Sequence, residues 1–311
     1  MYDVIILGAG PAGLAAGMYA GRLNMRTLII GEEVGGLIAT TQLVENYPGF
    51  KQISGEELSE RLMEHAEEYG VELVEARAID VERTAEGFRV VTDEDESYEG
   101  KTLIFATGTR HRKLPAKGAE EYENRGVYYC ALCDGPLFKD KVVAVVGGSD
   151  SAAKEALLLA EYARKVYIIY RGEELRGEPP NLRRIEENEK IEVIYRTNIV
   201  EVKGDRLLRS VVLDREYNGS KELSLDGVFV AIGGEPQSEL AKKLGVETNE
   251  KGEIIIDRDS RTSVAGVFAA GDVVASSFKQ AIVGVAEGVV AAYSAYRFVT
   301  SGYVATRASG E

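Results

Sequence analysis

The chain carries one strong constraint twice: a short apolar strand runs into a glycine turn and then a helix. Val4–Leu7 leads into GAGPAG, which puts Gly8, Gly10 and Gly13 at the G-x-G-x-x-G spacing. A helical stretch, LAAGMYAGRLNM, follows, and then a second strand, RTLIIGEE. In such a unit the first glycine makes the tight turn, the second lets backbone approach a pyrophosphate, and the third packs helix on strand. The pyrophosphate then rests on the helix N-terminus. Glu32 or Glu33 falls about 20 residues on, where a carboxylate can accept from ribose hydroxyls. Strand, turn, helix and acid together predict a dinucleotide site.

The second unit starts at Lys141, KVVAVVGGSDSAAKEALLLAEYARKVYIIYRG. Its turn is imperfect. Gly147 and Ala152 match the outer positions, but Ser149 takes the middle one, so a structural βαβ unit without a ligand is the alternative. Strand-like runs ending in glycine lie at 101–109 (KTLIFATGT) and 226–234 (DGVFVAIGG), with TSVAGVFAAGDVV at 262–274. The last helix, FKQAIVGVAEGVVAAYSAYRFV, precedes a polar tail from Thr300 that is expected to fray. The order predicts an α/β protein of two Rossmann-like dinucleotide-binding domains, three-layer ββα in type, the second inserted into the first. Residues 1–112 and 238–311 form the outer domain and 113–237 the inner one. Two connections, near Leu114–Pro115 and Gly233–Gln237, would make a natural hinge.

Length supports two domains, since 311 residues exceed the usual single core. A balance of 45% hydrophobic and 28% charged residues is that of an ordinary globular protein. We expect no apolar run near the roughly 20 residues of a membrane helix, and the start shows no basic leader, so a cytoplasmic protein is predicted. A net charge of −14 disfavours nucleic acid and anionic membranes as partners. Abundant charge with only four glutamines (Gln42, Gln52, Gln237 and Gln280) matches a thermophile's habit.

Cys130 and Cys133 are the only cysteines, set in GVYYCALCDGPLF. Zinc needs about four ligands, and only His65 and His111 could join them, with no second C-x-x-C. A structural disulfide closing so small a loop would stabilise little. Redox work is favoured, because a flavin can take hydride from a nicotinamide and pass two electrons to a disulfide. His65, in a charged helix, reads as a solvated surface residue, and His111, between Arg110 and Arg112, as a junction residue.

At this point the chain resembles the low-molecular-weight thioredoxin reductases, over almost its whole length. The shared pieces are GAGPAG, GG-L-ATT-LVENYPGF (35–50), ATG (106–108), CALCDG (130–135), GGSDSA (147–152) and FAAGDV…KQA (268–281). The resemblance implies FAD on Gly8, Gly10, Pro11, Ala12 and Gly13, with Glu32 or Glu33, Leu37, Asn46, Ala78, Thr107 and Gly108 beside it. Gly271 and Asp272 would meet its ribityl and phosphate region, and Lys279, Gln280 and Ala281 its flavin end. It implies that Cys133 faces the flavin, that Cys130 attacks the partner protein, and that Asp134 handles the proton. NADPH would use Gly147, Gly148, Ser149, Asp150, Ser151, Arg171 and Arg176. A thioredoxin or glutaredoxin-like protein as substrate, and a homodimer, are also implied, and no metal.

The chain departs from that pattern at four places. Leu37 stands where the family has glutamine, Lys279 where it has arginine, and Ser149 where it has glycine. Its HRR…R signature for the 2′-phosphate reads YRGEELR, keeping Arg171 and Arg176 but placing Tyr170 and Gly172 at the other two positions. Rival activities are a disulfide reductase with another donor and an oxidase or peroxide-reducing flavoprotein. A non-catalytic flavoprotein module is the rival of another class.

Overall fold

The computed structural model describes residues 1–301. By contacts the chain divides into two units, Met1–Arg110 with the segment from Pro236 onward, and His111–Glu235.

In the first unit, β1 (Tyr2–Leu7) is followed by α1 (Pro11–Arg22), β2 (Thr27–Ile30), α2 (Gly55–Glu67), β3 (Glu72–Val74), β4 (Ala78–Arg83), β5 (Phe88–Thr92) and β6 (Ser97–Phe105). The sheet order is β3-β2-β1-β6-β5-β4. β1 is paired in parallel on both sides, Val4 opposite Thr27 and Thr102. Both of its faces are covered, which is why it reads as an unbroken apolar run. Val4 and Ile6 pack with the helices, while Ile5 and Leu7 pack with Val81, Phe88 and Val90 of the antiparallel meander β4-β5-β6. Helices, parallel sheet and meander are the three layers. β6 belongs to two of them, since Gly100 stands opposite both Tyr2 and Phe88.

The second unit repeats the plan. After β7 (Thr109–His111), on the first crossing, come β8 (Val127–Tyr128), α3 (Ala131–Asp134), β9 (Val142–Val146), α4 (Asp150–Tyr162), β10 (Lys165–Ile169), α5 (Pro179–Glu186) and β11 (Ile191–Ile194). The meander β12 (Ile199–Gly204), β13 (Leu208–Tyr217) and β14 (Ser220–Ser224) leads to β15 (Gly227–Val230), and β16 (Gly234–Pro236) lies on the return crossing. The parallel sheet runs β11-β10-β9-β15-β8. Val143 and Val145 face α4, whereas Ala144 and Val146 face the meander residues Val202, Val211 and Leu213. The first unit then closes with α6 (Glu239–Lys243), β17 (Val267–Ala269), paired with β6, and α7 (Ala281–Ser301).

Each unit ties its own two ends together. Gln237 donates its N–H to the Gly108 carbonyl within the first, and Arg112 to the Gly233 carbonyl within the second.

One sequence expectation needs correction. By length and composition α7 could cross a membrane, with a mean hydropathy of 1.3. It is instead a packing helix. Its small residues Gly284, Gly288, Ala291, Ala292 and Ala295 are buried, and Ala291, Ala292 and Ala295 share a core with Ala12, Ala16 and Ala20 of α1. Thr300 and Ser301 continue the helix, and the rest of the tail expected to fray lies outside the described residues. A Cβ at Gly288 would meet the Ala12 carbonyl oxygen at 2.2 Å. Gly288→Ala should therefore lower stability by about 1–3 kcal/mol, overpacking outweighing the gain in helix propensity. Denaturant titration checks this, and a variant as stable as the parent would contradict it.

Candidate active site

The first glycine turn is built on backbone contact. Gly8 has φ +113°, and a Cβ there would sit 2.2 Å from the Ala106 carbonyl oxygen. A Cβ on Gly13 would sit 1.9 Å from the Gly8 carbonyl oxygen, so helix and turn can touch only through glycine. Gly10 differs: its nearest neighbour on that side is the Gly35 carbonyl, 3.9 Å away. The turn is thus closed at Gly8 and Gly13 and open at Gly10, which is the cradle a pyrophosphate needs. Pro11 starts α1 at a position whose missing N–H costs nothing. Glu32 and Glu33 are exposed just beyond β2.

Residues far apart in the chain converge on this turn. Gly271, with φ +80°, lies so close that a Cβ on it would reach the Ala12 Cβ at 2.9 Å, and Gly284 of α7 stacks behind it. A narrow crevice at the start of α7 is lined by Gly271, Asp272, Lys279, Gln280, Gly284 and Glu287. Asn46 donates its side-chain amide to Gln280 Oε1 at 3.0 Å, tying the ENYPG loop to that crevice. Thr107 and Gln237 exchange two hydrogen bonds beside Gly108, whose φ is +62°. Leu37 is exposed on a short 3-10 turn (36–40), Ala78 opens β4 opposite Thr92, and Ala281 begins α7.

Electrostatics in the crevice add two features that the sequence did not reveal. Lys279 Nζ is held by Glu253 Oε1 at 2.6 Å and by the Asp272 carbonyl at 2.7 Å, so its charge is already committed within the protein. Glu287, absent from the sequence-derived set, accepts the Gly271 N–H through Oε2 at 2.8 Å. Burial pushes the carboxyl pKa of Asp272 up against the pull of Lys279. Burial does the same to Glu287, with the nearby Asp272 charge adding to it and the Gly271 N–H opposing. The signal for Glu287 was an acid inside the apolar first half of α7.

The cysteines are joined as a disulfide at the N-terminus of α3, with Cα atoms 5.4 Å apart. Cys130 caps the helix, its Sγ accepting the Cys133 N–H at 3.1 Å. Cys130 is half-buried and Cys133 exposed. A donor aimed at Cys130 favours its thiolate once the pair is reduced. Asp134 comes next, donating its N–H to the Cys130 carbonyl at 3.1 Å, and burial raises its carboxyl pKa. A carboxyl that keeps its proton longer than usual can return one to a departing thiolate.

The second glycine turn resembles the first at its base. Gly147 has φ +150°, and a Cβ on it would meet the Ala231 carbonyl at 2.2 Å. Ser149 is the N-cap of α4 with extended backbone, and Ser151 is exposed on the first turn. Asp150 is engaged within the protein: Oδ1 accepts from the Glu178 N–H and the Asn181 amide, and Oδ2 pairs with Lys154 at 3.0 Å. Gly148 accepts the Arg176 N–H at 2.7 Å, so the loop carrying Arg171 and Arg176 folds back on the turn. His111 is stacked on Tyr129 and its pKa is lowered by burial, while His65 lies exposed on α2.

A disulfide carried on one dinucleotide fold, with a second such fold in the same chain, defines a disulfide oxidoreductase that draws on a pyridine nucleotide. The comparisons agree. The family model for pyridine nucleotide-disulphide oxidoreductases matches residues 2–288. The chain is 40% identical to the thioredoxin reductase of Listeria innocua, covering 96% of this chain and 94% of that one. Its structure is similar to that of Lactococcus lactis thioredoxin reductase in its FR conformation, with TM-score 0.92 and 40% identity over 96% and 99% of the two chains. The thioredoxin reductase of T. acidophilum follows, with TM-score 0.91 and 38% identity over the same shares. The chain belongs to the low-molecular-weight thioredoxin reductase family, whose members are FAD- and NADPH-dependent enzymes.

One buried group stands outside this scheme. Among the described residues, Glu155 Oε2 on α4 is buried without a hydrogen-bond partner, and burial pushes the carboxyl up to about 8. The folded protein then holds a proton that the unfolded chain releases near pH 4.5. Its contribution to stability is complete below that pH and is lost as pH rises towards 8, by up to about 1.4 kcal/mol per pH unit. Glu155→Gln should match the parent at pH 5, exceed it increasingly up to about pH 8 and level off by pH 9. Thermal melting across that range checks this, and a constant difference would contradict it.

Proposed function

We propose that the protein is an FAD-dependent thioredoxin reductase that carries electrons from NADPH to the disulfide of a thioredoxin or glutaredoxin-like protein. FAD belongs on the first unit and NADPH on the inserted one, and we place the work in the cytoplasm. The observation that carries this is the Cys130–Cys133 disulfide at the head of α3, with the Cys133 N–H on Cys130 Sγ and Asp134 alongside. The open cradle at Gly10 and the crevice of Gly271, Asp272, Lys279 and Gln280 support FAD. When bound, FAD would supply the two-electron relay between nicotinamide and disulfide.

The protein's own part is thiol chemistry. With the pair reduced, the Cys130 thiolate attacks one sulfur of the partner's disulfide. A mixed disulfide forms, and the partner's other sulfur leaves as a thiolate, which takes up a proton from Asp134. Cys133 then gives its proton back to Asp134 and attacks Cys130 Sγ, which restores the internal disulfide and frees the second partner sulfur as a thiolate that takes its proton from solvent. The partner gains two electrons and two protons in all.

Two experiments test the assignment. Cys130→Ser should leave a Cys133 thiolate against oxidised flavin and so a broad long-wavelength absorption band, which Cys133→Ser should lack. The reverse pattern would overturn the roles of the pair. Arg171→Ala should cut flavin reduction by NADPH by about tenfold or more, the loss of one charge-assisted contact. Reduction by NADH should change little. A parent that prefers NADH would refute the proposed donor.

A further inference from the structure

The two departures at the 2′-phosphate signature are one event in three dimensions. Tyr170, at the end of β10, is only 8% exposed and is wedged between two glycines. A Cβ on Gly148 would come within 2.4 Å of its ring, and a Cβ on Gly172 within 2.5 Å. The ring cannot move off one without striking the other. With tyrosine at 170, position 172 is restricted to glycine, and the cation the family keeps there is lost.

A different arginine stands beside the gap. After β11 the chain returns along this loop: Tyr170 donates to the Ile194 carbonyl, Thr197 to that of Tyr170, and Arg196 to that of Gly172 at 2.9 Å. Arg196 adopts φ +54°, a conformation unusual outside glycine, asparagine and aspartate. Its guanidinium lies 3.1 Å from Glu173 Oε1, with both side chains well exposed. The Arg176 guanidinium lies 5.9 Å from the centre of the Tyr170 ring.

We infer that Arg196 is a specificity-determining residue, replacing the missing cation of the 2′-phosphate site from the turn that follows β11. This rests on NADPH being the donor. Arg196 then adds a cation beside Gly172 to the signature's Arg171 and Arg176, on a loop that also carries Glu173 and Glu174. The exposed Arg196–Glu173 pair is weak, so a doubly charged phosphate can displace the carboxylate and take over the guanidinium. Glu173 is thus the carboxylate that the phosphate would replace on Arg196.

Calorimetric titration of the purified full chain with adenosine 2′,5′-bisphosphate, and separately with 5′-AMP, tests this without turnover. Arg196→Gln and Arg196→Gly should each weaken the bisphosphate by about tenfold, as for one charged contact. The glycine variant also accommodates the positive φ, which guards against misfolding. Affinity for 5′-AMP should stay within about twofold, since that ligand lacks the group Arg196 meets. Gly172→Arg, which must displace Tyr170, should not tighten the bisphosphate. If Arg171→Ala weakens the bisphosphate and neither Arg196 variant does, the role of Arg196 is overturned and the NADPH donor stands. Tightening by Gly172→Arg would overturn the wedge that makes Arg196 necessary. A parent protein that binds the bisphosphate no better than 5′-AMP would overturn both.

Discussion

The first unit depends on backbone touching backbone where a side chain would normally intervene. Gly13 lies against the Gly8 carbonyl and Gly288 against that of Ala12, and the missing side chain of Gly271 leaves room for the Ala12 methyl. These contacts let α1, α7 and the end of β17 meet around a single turn. Enlarging any of these residues would force the turn open, and the site built on it would be displaced. The second unit uses the same device at Gly147 and Ala231. Close packing of this kind tolerates very little added volume.

Charge is arranged economically around that framework. Lys279 is shared by Glu253 and the Asp272 carbonyl, and Glu287 is bonded to the Gly271 N–H. The AAGD turn is therefore gripped from two sides by groups that never leave the protein. The cation is already paired, and burial raises the carboxyl pKa of both Asp272 and Glu287.

What could be read from the chain was what local pattern encodes. Both glycine turns, the continuous apolar strands beside them and the cysteine pair are contiguous, so periodicity and spacing reveal them. The alternation that sends Val4 and Ile6 one way and Ile5 and Leu7 the other follows from strand geometry. Contacts between distant residues were not legible. Nothing in the sequence ties Asn46 to Gln280 or Glu253 to Lys279, and Tyr170 looked like a substituted histidine when it is in fact a wedge. Arg196 was overlooked for the same reason, lying 20 or more residues from both arginines of the signature. The membrane-like character of α7 was missed because glycine and Glu287 interrupt its apolar runs.

The nested order of the chain also constrains how it can be made. β17 pairs with β6, Val267 opposite Leu103, and every residue of the second unit is synthesised between them. The inner unit has its full sheet, and the Arg112–Gly233 bond that ties its ends, while the outer unit still lacks a strand and its longest helix. Domains tend to fold as they emerge from the ribosome. The inserted unit, with its cysteine pair, is therefore structured first, and the glycine turn of residues 8–13 must wait for α7 before its packing is complete. During that interval the side of α1 that later meets Ala291, Ala292 and Ala295 is uncovered, and the growing chain is most exposed to aggregation.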